Sequence, residues 1–279
     1  MANTTPKTGY APVNGLNMYY EIHGSGEPLV LLHGGFGLTG MFHVVLPDLA
    51  KTRQVIAVDL QGHGRTADID RPLSPEAMGD DVAALIQHLG FTQADVMGYS
   101  MGGAVALRTA IQHPEVVRKL VVVSIPFKRD GWYAELLPAR EQMSAAAAPF
   151  LKETPMYHNY VSVAPHPENF DALLDKMGDM LRRDYDWSAE VAALKMPVLI
   201  IIGDADGMPP SHAAEFFALL GGGQKDGSWD NSGMSNSQLA ILPATTHYNS
   251  VDSPLLAPIT IAFLDAPMPA ASSKVHNRL

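Results

Sequence analysis

The sequence predicts an α/β fold, with a mostly parallel central sheet flanked by helices and a small helical cap inserted into it. Three observations lead there. Short runs rich in Val, Ile and Leu alternate with longer amphipathic runs along most of the chain, the pattern of strands joined by crossover helices. Several short runs, such as VLIII at 198–202, are apolar at every position, as strands buried on both faces are. One block, 127–187, breaks the rhythm: it holds no clear strand, many aromatic residues, several prolines and a helix-like stretch at 169–182.

Taken in order, the apolar runs place strands at 16–21, 28–32, 53–59, 94–98, 117–124, 198–202 and 238–242. Helix-like segments fall between and after them, at 75–89, 101–113, 212–220 and about 254–265. The expected organisation is a core in two parts, 1–126 and 188–279, interrupted by a helical cap at 127–187. The glycine-rich polar stretch GGGQKDGSWDNSGMSNSQ, 221–238, cannot pack as an element and reads as a solvent-facing loop. From 266 on, the Pro/Ala/Ser-rich tail is expected to fray.

Composition narrows the function. With 279 residues, 47% hydrophobic and 17% charged, the chain has ample material for one core and is not disordered. Its formal net charge is -10, and no basic cluster is denser than Lys128-Arg129 or Arg182-Arg183; a nucleic-acid partner is not expected. No cysteine is present, which removes disulfides, thiolate catalysis and cysteine-bound zinc. Neither a signal-peptide-like stretch nor an apolar run long enough to cross a bilayer is seen. A soluble cytoplasmic protein without membrane contact is the expectation; a homodimer is compatible with all of this.

The segment DVMGYSMGGAVA, 95–106, carries the chemistry. Ser100 stands between Gly98 and Gly102, after a strand-like run and before a helix-like one. A strand turning sharply into a helix strains the residue at the turn and crowds its neighbours, so glycines flank it and the side chain is thrown clear. The helix start also brings the Met101 amide and the positive end of the helix dipole beside the serine.

A serine hydroxyl needs a base. Of 11 histidines, His247 in ILPATTHYNS is the best placed, directly after the last strand and before the last helix. The segment VLIIIGDADGMPPS offers two acids. Asp206 lies in the loop proper and is the better candidate to orient His247; Asp204, nearer the strand end, is expected to brace the turn through backbone bonds. The chain order serine, acid, histidine is itself informative, because unrelated serine hydrolases order the three roles differently. LVLLHGGFGLTGMF, 29–42, runs off a strand into a glycine loop able to bring a second amide to the same point.

From about Asn14 to Phe263 the chain resembles the α/β-hydrolase superfamily, in particular its esterase-like group with a short helical cap. The likeness rests on HGG at 33–35, DLQGHGRT at 59–66, GYSMG at 98–102, GDAD at 203–206 and His247. It implies that the Gly35 and Met101 amides form the oxyanion hole, with the Phe36 amide as the alternative to Gly35. It further implies a structural His33, Phe36 lining the acyl side of the pocket, and Asp59, Gly62, Gly64 and Arg65 shaping the next turn. Trp132 and Tyr133, in the aromatic insertion, are expected to line the substrate pocket.

The activity implied is hydrolysis of small to medium, largely apolar carboxylic esters through an acyl-enzyme, with no metal or other cofactor. Halide-releasing and epoxide-opening relatives carry an aspartate where this chain has Ser100. Lactone or carbon-carbon bond hydrolysis by the same three residues remains open. So does non-catalytic ligand binding, although a pure binding protein has no physical need of all three polar residues and both amide loops. A peptidase acting at an amino terminus needs an acidic anchor, and Glu153, Glu168 and Asp171 supply no pattern for one.

Overall fold

The structure, a computed structural model, describes residues 5–268, so that the tail expected to fray lies, from 269 on, outside the described residues. Eight strands form one sheet: β1 (Lys7–Val13), β2 (Leu16–His23), β3 (Glu27–Leu32), β4 (Arg53–Val58), β5 (Ala94–Tyr99), β6 (Val117–Val123), β7 (Val198–Ala205) and β8 (Gln238–Thr246). Their spatial order is β1-β2-β4-β3-β5-β6-β7-β8. The first two run antiparallel to their neighbours, and all pairs from β4-β3 to β7-β8 are parallel.

Seven of these strands coincide with the apolar runs of the sequence, and β1 does not. Its residues, KTGYAPV, are mostly exposed, and only Ala11 and Val13 are buried. A glycine and a proline in so polar a run argue against a strand; Pro12 is tolerated because β1 has a neighbour on one side only. A two-residue turn at Asn14-Gly15, both at positive φ, closes the β1-β2 hairpin, as such a pair favours.

Among the described residues there are ten α-helices. α1 (Leu46–Leu49), α2 (Pro75–His88) and α3 (Met101–Gln112) precede β6, and α9 (Pro210–Leu219) and α10 (Leu256–Asp265) follow β7 and β8. α2 begins where Ser74 accepts the Ala77 amide at 3.1 Å and Pro75 takes the first turn. Strand residues point alternately to two cores. Val30, Leu32, Ile56, Val96, Val122 and Ile200 pack under α2, α3 and α9; Leu29, Leu31, Val55, Met97, Val121 and Ile201 pack under α1 and α10.

Between β6 and β7 the chain is helical: α4 (Leu137–Glu141), α5 (Ala148–Leu151), α6 (Pro155–Val163), α7 (Phe170–Arg182) and α8 (Ser188–Ala193), with short 3-10 turns between them. The first four of these helices form the cap. Phe170, Leu173, Leu174 and Met177 of α7 are buried against the main core. Lys176 ties the cap down, donating to Asp68 Oδ2 at 2.6 Å, Ile69 O at 2.7 Å and Arg71 O at 2.9 Å.

The junction of β5 and α3 leaves no room for side chains at its glycines. A β-carbon on Gly98 would lie 2.0 Å from Gly102 O, and one on Gly102 would lie 2.3 Å from Leu32 O and 2.5 Å from His33 O. Both contacts are with backbone, which cannot rotate away. Gly102→Ala is therefore expected to lower stability by about 3 kcal/mol or more, read as a fall in the urea midpoint at unchanged m-value.

Candidate active site

Ser100 is the single residue between β5 and α3. Its backbone sits at φ 52°, ψ -118°, a sparsely populated region that costs of order 1–3 kcal/mol unless the surroundings impose it. They do: Ser100 N donates to Val123 O at 2.9 Å, and Ala104 N donates to Ser100 O at 3.0 Å. The side chain, held clear of both elements, places Oγ 3.0 Å from His247 Nε2.

His247 lies in the turn after β8. Its carbonyl accepts the Tyr99 hydroxyl at 2.6 Å and the Ser250 hydroxyl at 3.2 Å, so the residue before Ser100 anchors the histidine's backbone. The ring's other nitrogen, Nδ1, is 2.9 Å from Asp206 Oδ1. An ionised carboxylate only accepts, so Nδ1 carries the hydrogen and Nε2 presents its lone pair to the serine hydroxyl.

Asp206 is buried, its side chain fully excluded from solvent. Burial by itself raises a carboxyl's pKa. Here the hydrogen bond and charge of His247, the Ser124 hydroxyl and the Gly203 amide more than offset it, and the group lies below its ordinary range. The donors are close: Ser124 Oγ at 2.6 Å and Gly203 N at 3.2 Å to Oδ2, and Gly207 N at 2.6 Å to Oδ1. Asp204 does not reach the histidine. Its two oxygens accept the Thr245 and Ala244 amides, each at 3.0 Å, and hold β8 against β7.

Ser124 went unremarked as a site residue in the sequence. It is buried and follows the apolar run of β6 with φ 57°, sharing the positive φ of Ser100 at the next strand end. A small polar residue closing the apolar run LVVV was the available signal.

The glycine loop after β3 runs past the serine. Its internal bonds join Gly37 N to Gly34 O at 3.0 Å and Gly34 N to Met41 Sδ at 3.4 Å, leaving the Gly35 amide outside them. Met101 is the first residue of α3, so its N–H has no carbonyl within the helix to bond. Gly35, Phe36 and Met101 all line the cavity that Ser100 opens into. His33 at the loop's base is buried, with Nδ1 2.7 Å from Gly34 O and Nε2 accepting the Leu60 amide at 3.1 Å. Asp59, also buried, accepts the Thr39 and Arg65 amides at 2.7 and 2.8 Å and fixes the turn that follows β4.

The cavity measures about 1430 Å³ and lies between the strand ends and the cap. Trp132 is buried with its ring edge-on to His247 at 5.5 Å between centroids, and Tyr133 lies at the opening, 38% exposed. Phe36, at φ 60°, packs near His63 and Phe170. Met143, Met177 and Met180 supply adaptable apolar wall. The loop 221–238 contributes nothing to this lining. Among the described residues no three His, Asp or Glu side chains converge as metal ligands do, and no helix is long and apolar enough to cross a membrane.

Residues 27–189 match the family model described as the alpha/beta hydrolase fold. Among curated proteins, the putative carbamate hydrolase RutD of Azorhizobium caulinodans is 26% identical over 226 residues, 75% of this chain and 84% of the relative. The pimeloyl-[acyl-carrier protein] methyl ester esterase of Yersinia enterocolitica is 28% identical over 267 residues, 85% of this chain and 93% of the relative. Six others, 36% to 40% identical, match over only 33% to 44% of their own length. The solved structure of the carboxylesterase CesB from Bacillus subtilis superposes with a TM-score of 0.73 at 17% identity, covering 94% of this chain and 93% of the other.

Two buried imidazoles beside the site give a pH signature. Burial lowers the pKa of His33 to about 4 and that of His63 to about 3, the nearby His33 charge adding to the effect at His63. Between pH 6.5 and these values the unfolded chain binds protons that the folded chain refuses. Stability from this source is therefore complete above about pH 6.5 and is lost as pH falls toward 4 and 3, by a few kcal/mol for each group. Urea midpoints measured from pH 7 to pH 4 are expected to decline, and to decline less steeply in His63→Gln.

Proposed function

As a member of the α/β-hydrolase fold family, to which the chain belongs, we propose that it is a serine carboxylesterase acting on small to medium carboxylic esters. One observation carries the reading: the unbroken relay from Ser100 Oγ to His247 Nε2 at 3.0 Å and from His247 Nδ1 to Asp206 Oδ1 at 2.9 Å. The name of the Yersinia relative, a methyl ester esterase, supports an ester as the bond attacked.

In this mechanism His247 Nε2 takes the proton of Ser100 as Oγ attacks the ester carbonyl. Asp206 holds the ring in the required tautomer and stabilises the imidazolium that forms. The tetrahedral oxyanion sits against the Gly35 and Met101 amides, each such donor contributing about 3 kcal/mol to the transition state. His247 then returns the proton to the departing alcohol. Water, deprotonated by His247, attacks the acyl-enzyme, and collapse of the second tetrahedral intermediate frees the acid and Ser100.

The cap over the strand ends, residues 127–187, forms the far wall of this site, with Trp132 and Tyr133 beside the substrate and Phe36 on the acyl side. Ser124 acts through Asp206: by bonding Oδ2 it keeps Oδ1 turned to the imidazole.

Release of nitrophenolate from p-nitrophenyl esters, acetate to octanoate, tests the reading. Turnover with a chain-length optimum is expected, and a loss of about 10⁴-fold or more in kcat for Ser100→Ala. Activity that persists in that variant would sink the serine mechanism. A wild type inert to the whole panel would move the reading to lactones, carbon-carbon substrates or ligand binding. Ser124→Ala is expected to lower kcat about tenfold, the scale of one hydrogen bond to a charged group, with KM little changed; a purely structural loss would instead lower the active fraction and leave kcat per active site unchanged.

A further inference from the structure

Arg140, on α4, is a half-buried cation of the cleft whose charge no acid answers among the described residues. Its guanidinium carbon lies 4.1 Å from the Trp132 ring, the same ring that meets His247 edge-on at 5.5 Å. The side chain lines the cavity beside the Ser100 site. Four other cap cations are matched, Arg129 with Glu141, Lys152 with Asp171, Lys176 with Asp68 and Arg182 with Asp179, while Arg183, which also lines the cavity without an ion pair, is exposed to solvent. Arg140 makes no ion pair among the described residues. The acids that share the cavity lining, Glu76, Glu135, Asp184 and Asp252, leave it alone, and Asp206 is committed to His247.

Arg140 is half-buried, and a cation drawn partly out of water without a counter-charge is disfavoured. Burial lowers the pKa of this guanidinium, and only the Tyr185 and Tyr248 phenols act in the opposite direction. Stacking on the indole compensates in part. It also holds the guanidinium at the indole face while no hydrogen bond among the described residues engages its N–H groups, so they are free for a carboxylate, which a guanidinium takes through two parallel hydrogen bonds. A substrate anion entering the cavity would supply the missing partner.

We infer that the cleft takes an ester carrying a free carboxylate, and that Arg140 is the group that selects it. This rests on the esterase reading and adds to it the class of substrate. Most of the wall stays apolar, so the substrate is a chain with a charge at one end of it, the ester at Ser100 and the carboxylate at Arg140.

Matched esters test this. Monomethyl adipate and methyl hexanoate differ by a carboxylate in the acyl part; 4-acetoxybutanoate and butyl acetate differ by one in the alcohol part. Acid release is followed at constant pH with wild type, R140Q, R140K and Ser100→Ala. In at least one pair the wild type is expected to prefer the anion, and R140Q to lower the anion-to-neutral ratio of kcat/KM about ten- to a hundredfold, with R140K between them. A ratio near one in both wild-type pairs, or one that R140Q leaves unmoved, overturns the inference while the esterase reading stands.

Two measurements keep the test independent of turnover and of that variant's folding. Calorimetric titration of adipate into the Ser100→Ala protein is expected to show binding that R140Q in the same background lacks. If no ester is hydrolysed and adipate still binds through Arg140, the esterase reading fails and the anion site stands. In the wild type, adipate is expected to compete with methyl hexanoate where the neutral 1,6-hexanediol does not; equal competition by both overturns the inference.

Discussion

The turn from β5 into α3 spends a single residue, and the rest of the site is arranged around that economy. The helix begins so soon after the strand that its first turn rests on the backbone at the end of β3, with no room for a side chain at Gly98 or Gly102. Ser100 is forced into a left-handed conformation, and its hydroxyl has nowhere to go but outward. Tyr99, one residue earlier, then reaches across to hold the carbonyl of His247, 148 positions away in sequence. A chain segment of two residues thus positions both ends of the serine-histidine contact.

The acid is held in a different way. Asp206 is taken out of water, which penalises its charge, and is surrounded by donors that restore it: two backbone amides, the Ser124 hydroxyl and the imidazole. With one oxygen shared between Ser124 and Gly203 and the other between Gly207 and His247, rotation of the carboxylate would break four bonds together. The imidazole therefore faces a fixed acceptor, a condition for keeping its lone pair on the side of the serine.

Legibility in the sequence followed the range of the interactions. The central strands could be read because burial on both faces demands apolar residues along most of their length, as in LVVV and VLIII. The choice of Asp206 over Asp204 followed from position, since residues beyond a strand end can turn into the site while one still in the strand cannot. β1 escaped because an outermost strand takes its stability from a single neighbour and tolerates a polar, proline-containing sequence. Ser124 and Arg140 escaped for another reason. Each matters through a partner distant in sequence, Asp206 for one and the Trp132 ring for the other, and neither carries a local pattern that names that partner. Within the cap, the aromatic content and the helix-like stretch that became α7 were visible, but the bounds of the short helices α4, α5 and α6 depend on tertiary packing that no periodicity records.

The two outermost strands share a feature with a consequence for how copies of this chain meet. β1 contains Pro12, and β8 contains Pro243 followed by a break in register against β7 and by Ala244 at positive φ. A proline in an outer strand turns its missing N–H toward solvent, and an irregular register twists the rim away from any straight template. Each margin of the sheet is thus interrupted where an incoming strand would seek a continuous row of donors. Edge-to-edge recruitment, the route by which exposed sheets aggregate, is blocked at both ends by residues that belong to the native hydrogen-bond pattern.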